Sequence, residues 1–127
     1  MIVKALNVDI KKSKIYVGFT SKYGSAYGEW FGEVEAGQNY AIELDIPAEL
    51  IWGKDIKEIR ETLEVISYDG QFNYLQGILD HLYEDGIVAF RIGPSIVLLE
   101  TKGYTSAKKG SWVQIKVPEI QLFNINL

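Results

Sequence analysis

The chain has 127 residues, 17 acidic and 13 basic, with a formal net charge of −4 and no cysteine. That length supports one domain with a substantial core and not two. The missing thiols exclude disulfides, thiolate catalysis and cysteine-ligated metals. Apolar residues at 47% and charged ones at 24% are the proportions of a folded globular protein, not of a disordered chain. No apolar run approaches the roughly 18 residues of a membrane span, and Met1 to Ile10 lack the basic head and long apolar stretch of a signal peptide. The expected setting is therefore cytoplasmic and reducing, with no membrane association.

The charge is unevenly spread. Residues 29–85 carry 14 acids and 3 bases, for −11, whereas residues 1–28 come to +4 and residues 86–127 to +3. If the two chain ends are neighbours, as in a barrel, the molecule has one mildly basic and one strongly acidic side; a merely solvated surface is the plainer alternative.

In chain order, Leu6, Val8 and Ile10 alternate with polar residues, Lys11-Lys12-Ser13 makes a polar turn, and Ile15, Val17 and Phe19 alternate again. This predicts two strands joined by a tight turn. Thr20 to Gly28 has no period and reads as a loop carrying Tyr23 and Tyr27. Trp30 to Ala36 predicts a strand and Ala36-Gly37-Gln38-Asn39 a turn. Tyr40, Ile42, Leu44 and Ile46 then alternate strictly with Ala41, Glu43 and Asp45, the pattern of a half-buried strand ended by Pro47. A short helical or irregular piece is expected near 48–58 and a strand over about 60–68.

Phe72, Leu75, Ile78, Leu79 and Leu82 share one helical face, Asp69 can cap their start and Gly86 fits just past the end, so a helix is predicted over Gln71 to Glu84. The stretch Gly86 to Thr101 holds two apolar runs, Ile87 to Ile92 and Ile96 to Leu99, broken by Gly93-Pro94-Ser95. They predict a central hairpin with both faces covered. Lys102 to Gly110 is a loop, Val113, Ile115 and Val117 mark another strand, and Ile120 to Leu127 shifts its alternation near Leu122-Phe123, as at a bulge. The fold class is mainly β (a β-rich α+β chain): a small antiparallel, OB-like barrel or two-layer sheet with one clear α-helix at about 71–84. That likeness is one of element order and carries no function with it.

The chemical stock is thin. His81 is the only histidine and reads as a surface residue before it reads as a general base. Gly24-Ser25-Ala26-Tyr27-Gly28 lacks the strand-to-helix junction and lysine of a phosphate cradle. No catalytic residue, cofactor or metal site is assigned.

Two constellations remain. Glu33 with Glu35 and Glu43 with Asp45 stand two apart on expected strands, and a hairpin of 30–36 and 40–46 would gather all four on one acidic face. Such a face suits a basic protein partner drawn by complementary charge; it also suits plain solvation, or a hard cation. Six of the sixteen aromatics lie between Tyr16 and Phe31, and rings exposed beside Lys22 can stack on bases or sugars.

The sequence thus reads as a non-enzymatic binding protein. The first reading is an acidic protein–protein interaction module of inhibitor or immunity type, using Glu33, Glu35, Glu43 and Asp45. The alternative is an OB-like binder of single-stranded nucleic acid or oligosaccharide through an aromatic loop of Tyr23, Tyr27, Trp30 and Lys22. There Lys11, Lys12, Lys14, Lys108 and Lys109 would supply charge.

Overall fold

Alternation and tight turns set the first third of the chain. In a computed structural model, which describes residues 1–126, β1 (Ile2–Lys11), β2 (Lys14–Ser21) and β3 (Gly24–Phe31) form an antiparallel meander. Val3, Ala5, Val17, Phe19, Ala26 and Trp30 point inward. The first connection is a two-residue turn with positive φ at both Lys12 (49°) and Ser13 (67°), the geometry whose twist matches that of the flanking strands. β4 (Asn39–Asp45) pairs antiparallel with β1. The last strand, β12 (Gln121–Asn124), pairs antiparallel with β4 and parallel with β3. The circuit β1-β2-β3-β12-β4 therefore closes a five-stranded barrel. Four antiparallel pairs and one parallel pair in this order make it OB-like.

Everything from residue 46 to 120 is inserted between the barrel's fourth and fifth strands. It holds β5 (Glu49–Ile51), β6 (Ile56–Glu58), β7 (Val65–Tyr68), β8 (Asn73–Leu82), β9 (Ile87–Ile92), β10 (Ser95–Lys102) and β11 (Trp112–Val117). β7 meets β3 through the parallel pair Gly24–Ile66, where a side chain at Gly24 would strike the Ile66 carbonyl. From β7 the pairing runs β8-β9-β10-β5, and β11 and then β6 attach along the other edge of β8. Leu50, Ile56, Leu75, Leu79, Phe90, Leu99 and Ile115 of this insertion join one core with the barrel's own interior.

The mainly β, barrel-like reading holds, and the helix does not. Residues 73–82 are the strand β8, and the only helical turn among the described residues is a 3-10 turn at Glu84–Gly86. The leucine spacing misled because β8 has one buried face, a half-buried second face and a bulge. Asn73, Leu75, Gly77 and Leu79 are buried in strict alternation, and Tyr74, Gln76, Ile78 and Asp80 are half-buried on the other face. The bulge between Leu79 and His81 sets Leu82 opposite Val88, against the core. Phe72, Leu75, Ile78 and Leu82 thus belong to two faces of a strand and not to one face of a helix. The end signals were real but served other turns. The Asp69 carboxylate accepts the amides of Gln71 (2.9 Å) and Phe72 (2.7 Å), leading the chain into β8. Gly86, at φ 80°, ends the 3-10 turn.

Other boundaries move as well. The expected loop at 20–28 is the end of β2, a two-residue turn and most of β3, because Tyr27, Gly28 and Glu29 continue the ladder. The expected strand at 30–36 stops at Phe31, and the irregular piece at 48–58 contains the short strands β5 and β6. β12 keeps one register against both neighbours. The barrel's bulge lies instead in β1, between Ala5 and Asn7. Finally, within the hairpin β9–β10 it is β10 that is covered on one face only: Ile96 is 57% and Leu98 61% exposed on its outer side, whereas Ala89 of β9, opposite Leu98, is buried.

Candidate functional site: a tyrosine-lined groove

The outward side chains of β2 and β3 are fixed by the same pleat that buries Val17, Phe19, Ala26 and Trp30. Tyr16 stands opposite Glu29, and Tyr27 one pleat further along the same face. Their rings stack at 5.8 Å between centroids with 8° between planes, and Tyr68 of β7 continues the row, 5.7 Å from Tyr27. These separations exceed the contact spacing of about 3.5–4 Å. The rings are therefore offset like roof tiles, with Tyr16 and Tyr27 half-buried and Tyr68 exposed.

The row lines a groove of about 380 Å³. One wall is the β1–β2 turn, with Lys11, Lys12 and Lys14; the other is Pro118, Glu119 and Ile120, where the insertion returns to the barrel. The second wall is held by the Glu29 amide, which donates to the Ile120 carbonyl at 3.0 Å.

Charge in the groove is mixed: Lys11, Lys12 and Lys14 line it together with Glu29 and Glu119. The Tyr27 hydroxyl donates to Asp9 Oδ2 at 3.0 Å, and Lys11 Nζ stands 5.4 Å from the Tyr27 ring centre and 6.0 Å from that of Tyr16. Burial pushes the Tyr27 hydroxyl above its ordinary value, Lys11 works the other way, and Asp9 raises it again. The Tyr27 oxygen beside Lys11 in turn holds that ammonium above its ordinary value, with Asp9 adding to the effect. Glu29, only 8% exposed, lines the groove and forms no direct ion pair; the single one among the described residues is Arg91 with Asp80, and Lys11, Lys12 and Lys14 line the same groove. A carboxylate so placed is an acceptor for whatever donors enter the groove.

Of the four residues assigned to the aromatic loop, Tyr27 alone lines this groove. Tyr23 sits in the β2–β3 turn with its ring against Gly93, and its neighbour Lys22 is exposed there. Trp30 is 3% exposed in the barrel core, its Nε1 donating to the Glu33 carbonyl at 3.1 Å, so it offers no face to a ligand. The aromatic loop is therefore corrected to an aromatic strand face. Lys11, Lys12 and Lys14 border the groove, whereas Lys108 and Lys109 do not line it.

The four acids are not gathered on a hairpin, because β12 lies between β3 and β4. Glu33 and Glu35 are exposed in the connection after β3; Glu43 and Asp45 are exposed on β4. Among the described residues no three acidic or histidine side chains come together as metal ligands. His81 is exposed, with its ring edge-on to Tyr83 at 4.4 Å.

Sequence reasoning missed Tyr68 and Glu29 as site residues. Tyr68 comes from a distant segment whose attachment to β3 rests on one parallel pair, which no local pattern announces. Glu29 follows from strand phase alone once Gly28 and Trp30 are placed inward. Comparison of the chain with protein-family models, with curated proteins and with solved structures finds no match in any of them.

Proposed function

We propose that this protein is a non-enzymatic binding module whose ligand is an oligosaccharide seated in the tyrosine groove. The observation that carries the reading is the row Tyr16, Tyr27, Tyr68 tiled along one groove, beside a carboxylate, Glu29, that forms no direct ion pair. Pyranose rings present flat C–H faces to tyrosines, and their hydroxyls are donors for Glu29 and Glu119. The β2–β3 face, bordered by the β1–β2 turn and by the segment before β12, is also where OB-type barrels in general hold oligosaccharides and oligonucleotides; that part of the case is analogy.

A single-stranded nucleic acid also stacks on aromatic rings, but its phosphates favour a groove of one positive sign. Here Lys11, Lys12 and Lys14 share the groove with Glu29 and Glu119, and Asp9 stands at the Tyr27 hydroxyl.

The test is a titration of the protein with a panel of neutral oligosaccharides and with an oligothymidylate, followed by backbone amide shifts. The expected result is binding of at least one neutral oligosaccharide, with an affinity that hardly changes between about 50 and 500 mM salt. Tyr27→Ala should weaken it about tenfold or more, roughly 1.4 kcal/mol. Binding of the oligonucleotide alone, with a steep loss on adding salt, would transfer the groove to nucleic acid. No shifts at Tyr16, Tyr27 or Tyr68 with any ligand would remove the groove as a site.

A further inference from the structure

A second surface lies away from the tyrosine groove, where β4 runs beside β10. Ile96 and Leu98 project outward at alternate positions of β10 and are more than half exposed. Two hollows lie along this line. The first sets Glu43 and Leu44 beside Ser95 and Ile96, and the second sets Asp45 beside Leu98 and Glu100. The outcome is an apolar row flanked by an acidic row, each repeating every second residue.

Among the described residues, none of Glu43, Asp45, Glu49 and Glu100 forms an ion pair. Glu100 stands directly opposite Glu49 in the parallel pairing of β10 with β5, and neither takes part in an ion pair. Like charges facing each other across a strand pair cost stability, and a cationic partner relieves that cost. The backbone points the same way. β10 is paired with β9 along Ser95 to Glu100, but on its other side it is paired only from Glu100 to Lys102, by β5. Ser95 to Leu99 therefore present an open strand edge toward the hollows, a feature that extended segments recognise.

We propose that this β4–β10 surface docks an extended segment of another protein carrying alternating basic and apolar side chains. Its basic side chains meet Glu43, Asp45, Glu49 and Glu100, and its apolar ones cover Ile96 and Leu98. Glu33 and Glu35, placed after β3, take no part.

The experiment uses a fluorescent synthetic peptide of alternating lysine and valine, with a glutamate–valine peptide as control, and follows anisotropy at low ionic strength. The lysine peptide is expected to bind and the glutamate peptide not to. Asp45→Lys with Glu100→Lys should weaken binding about tenfold or more, and Leu98→Ser about fivefold, with the parent's circular dichroism retained. Glu33→Lys with Glu35→Lys should change it by less than about twofold, and Tyr27→Ala should leave it as in the parent, separating this surface from the groove. Absence of binding overturns the proposal. So does an unchanged affinity in Leu98→Ser, or an equal loss on reversing Glu33 and Glu35, because either result reduces the attraction to net charge alone.

Discussion

The Tyr27 hydroxyl of β3 reaches across β2 to the Asp9 carboxylate of β1, at 3.0 Å, tying the outer faces of three strands together. Tyr27→Phe removes this bond while keeping the ring between Tyr16 and Tyr68. The expected loss is about 1 kcal/mol, the usual net worth of one such hydrogen bond. The pH dependence has a definite sign. The folded state holds the Tyr27 hydroxyl above its ordinary value of 10.0, first through burial. Its contribution is complete below that value and is lost as pH rises through the folded one. Urea unfolding of parent and Tyr27→Phe from neutral pH to about pH 11 checks this. The gap between them should narrow on the alkaline side, and a gap that widens would contradict the assignment.

Gly77 separates a strand from a helix by the sign of one substitution. In an exposed helix interior, glycine to alanine stabilises by about 1 kcal/mol. In β8 a Cβ at Gly77 would press on the Phe90 ring, at 2.9 Å, and on the Arg91 carbonyl of β9. Gly77→Ala is therefore expected to destabilise by about 1–3 kcal/mol, the cost of overpacking. Thermal or urea unfolding of the single variant suffices, and a gain in stability would return residues 71–84 to the helical reading.

That same segment shows where sequence legibility stopped. β4 was readable because one face is wet: Glu43 and Asp45 alternate with Ile42 and Leu44, and the phase is unique. β8 was not, because strands line both its edges and its second face is half-buried, so apolar residues fall at spacings that a helix also satisfies. The groove was half legible for a related reason. Tyr16 and Tyr27 belong to a local meander, and Lys11 to Lys14 to its turn. Tyr68 and Pro118 to Ile120 arrive from an insertion whose docking depends on long-range parallel pairs, with β7 on β3 and β12 on β3. Parallel pairing leaves no tight-turn signature in a sequence.

The β1–β2 turn carries strain that glycine relieves. Lys12 and Ser13 both hold positive φ without being glycine, a conformation costing about 1–2 kcal/mol per ordinary residue. Ser13→Gly is expected to stabilise the protein by about 0.5–1 kcal/mol, the gain being partly offset by the greater freedom of glycine in the unfolded chain. The midpoint of urea unfolding should rise with an unchanged slope. A fall in the midpoint would mean that the Ser13 side chain contributes more than its backbone costs.

Glu29 sets stability against binding at a single residue. The residue is mostly packed away on the outer face of β3, with Tyr16 opposite it on β2 and Gln121 on β12, and its carboxylate forms no direct ion pair among the described residues. A partly desolvated charge without a direct partner adds little to folding and stays open to a ligand. Glu29→Gln keeps the shape and removes the charge, so the folded state should gain, by up to about 1 kcal/mol. A ligand hydroxyl that donates to the carboxylate loses a charge-assisted bond, about twice as strong as a neutral one. The same variant should therefore bind the neutral oligosaccharide about tenfold more weakly, roughly 1.4 kcal/mol. Urea unfolding and calorimetric titration on one preparation give both numbers. A variant that is less stable than the parent means that Glu29 is held by the protein itself. A variant that is more stable and binds equally well means that the tyrosines act without it, and the acceptor role would pass to Glu119 on the opposite wall.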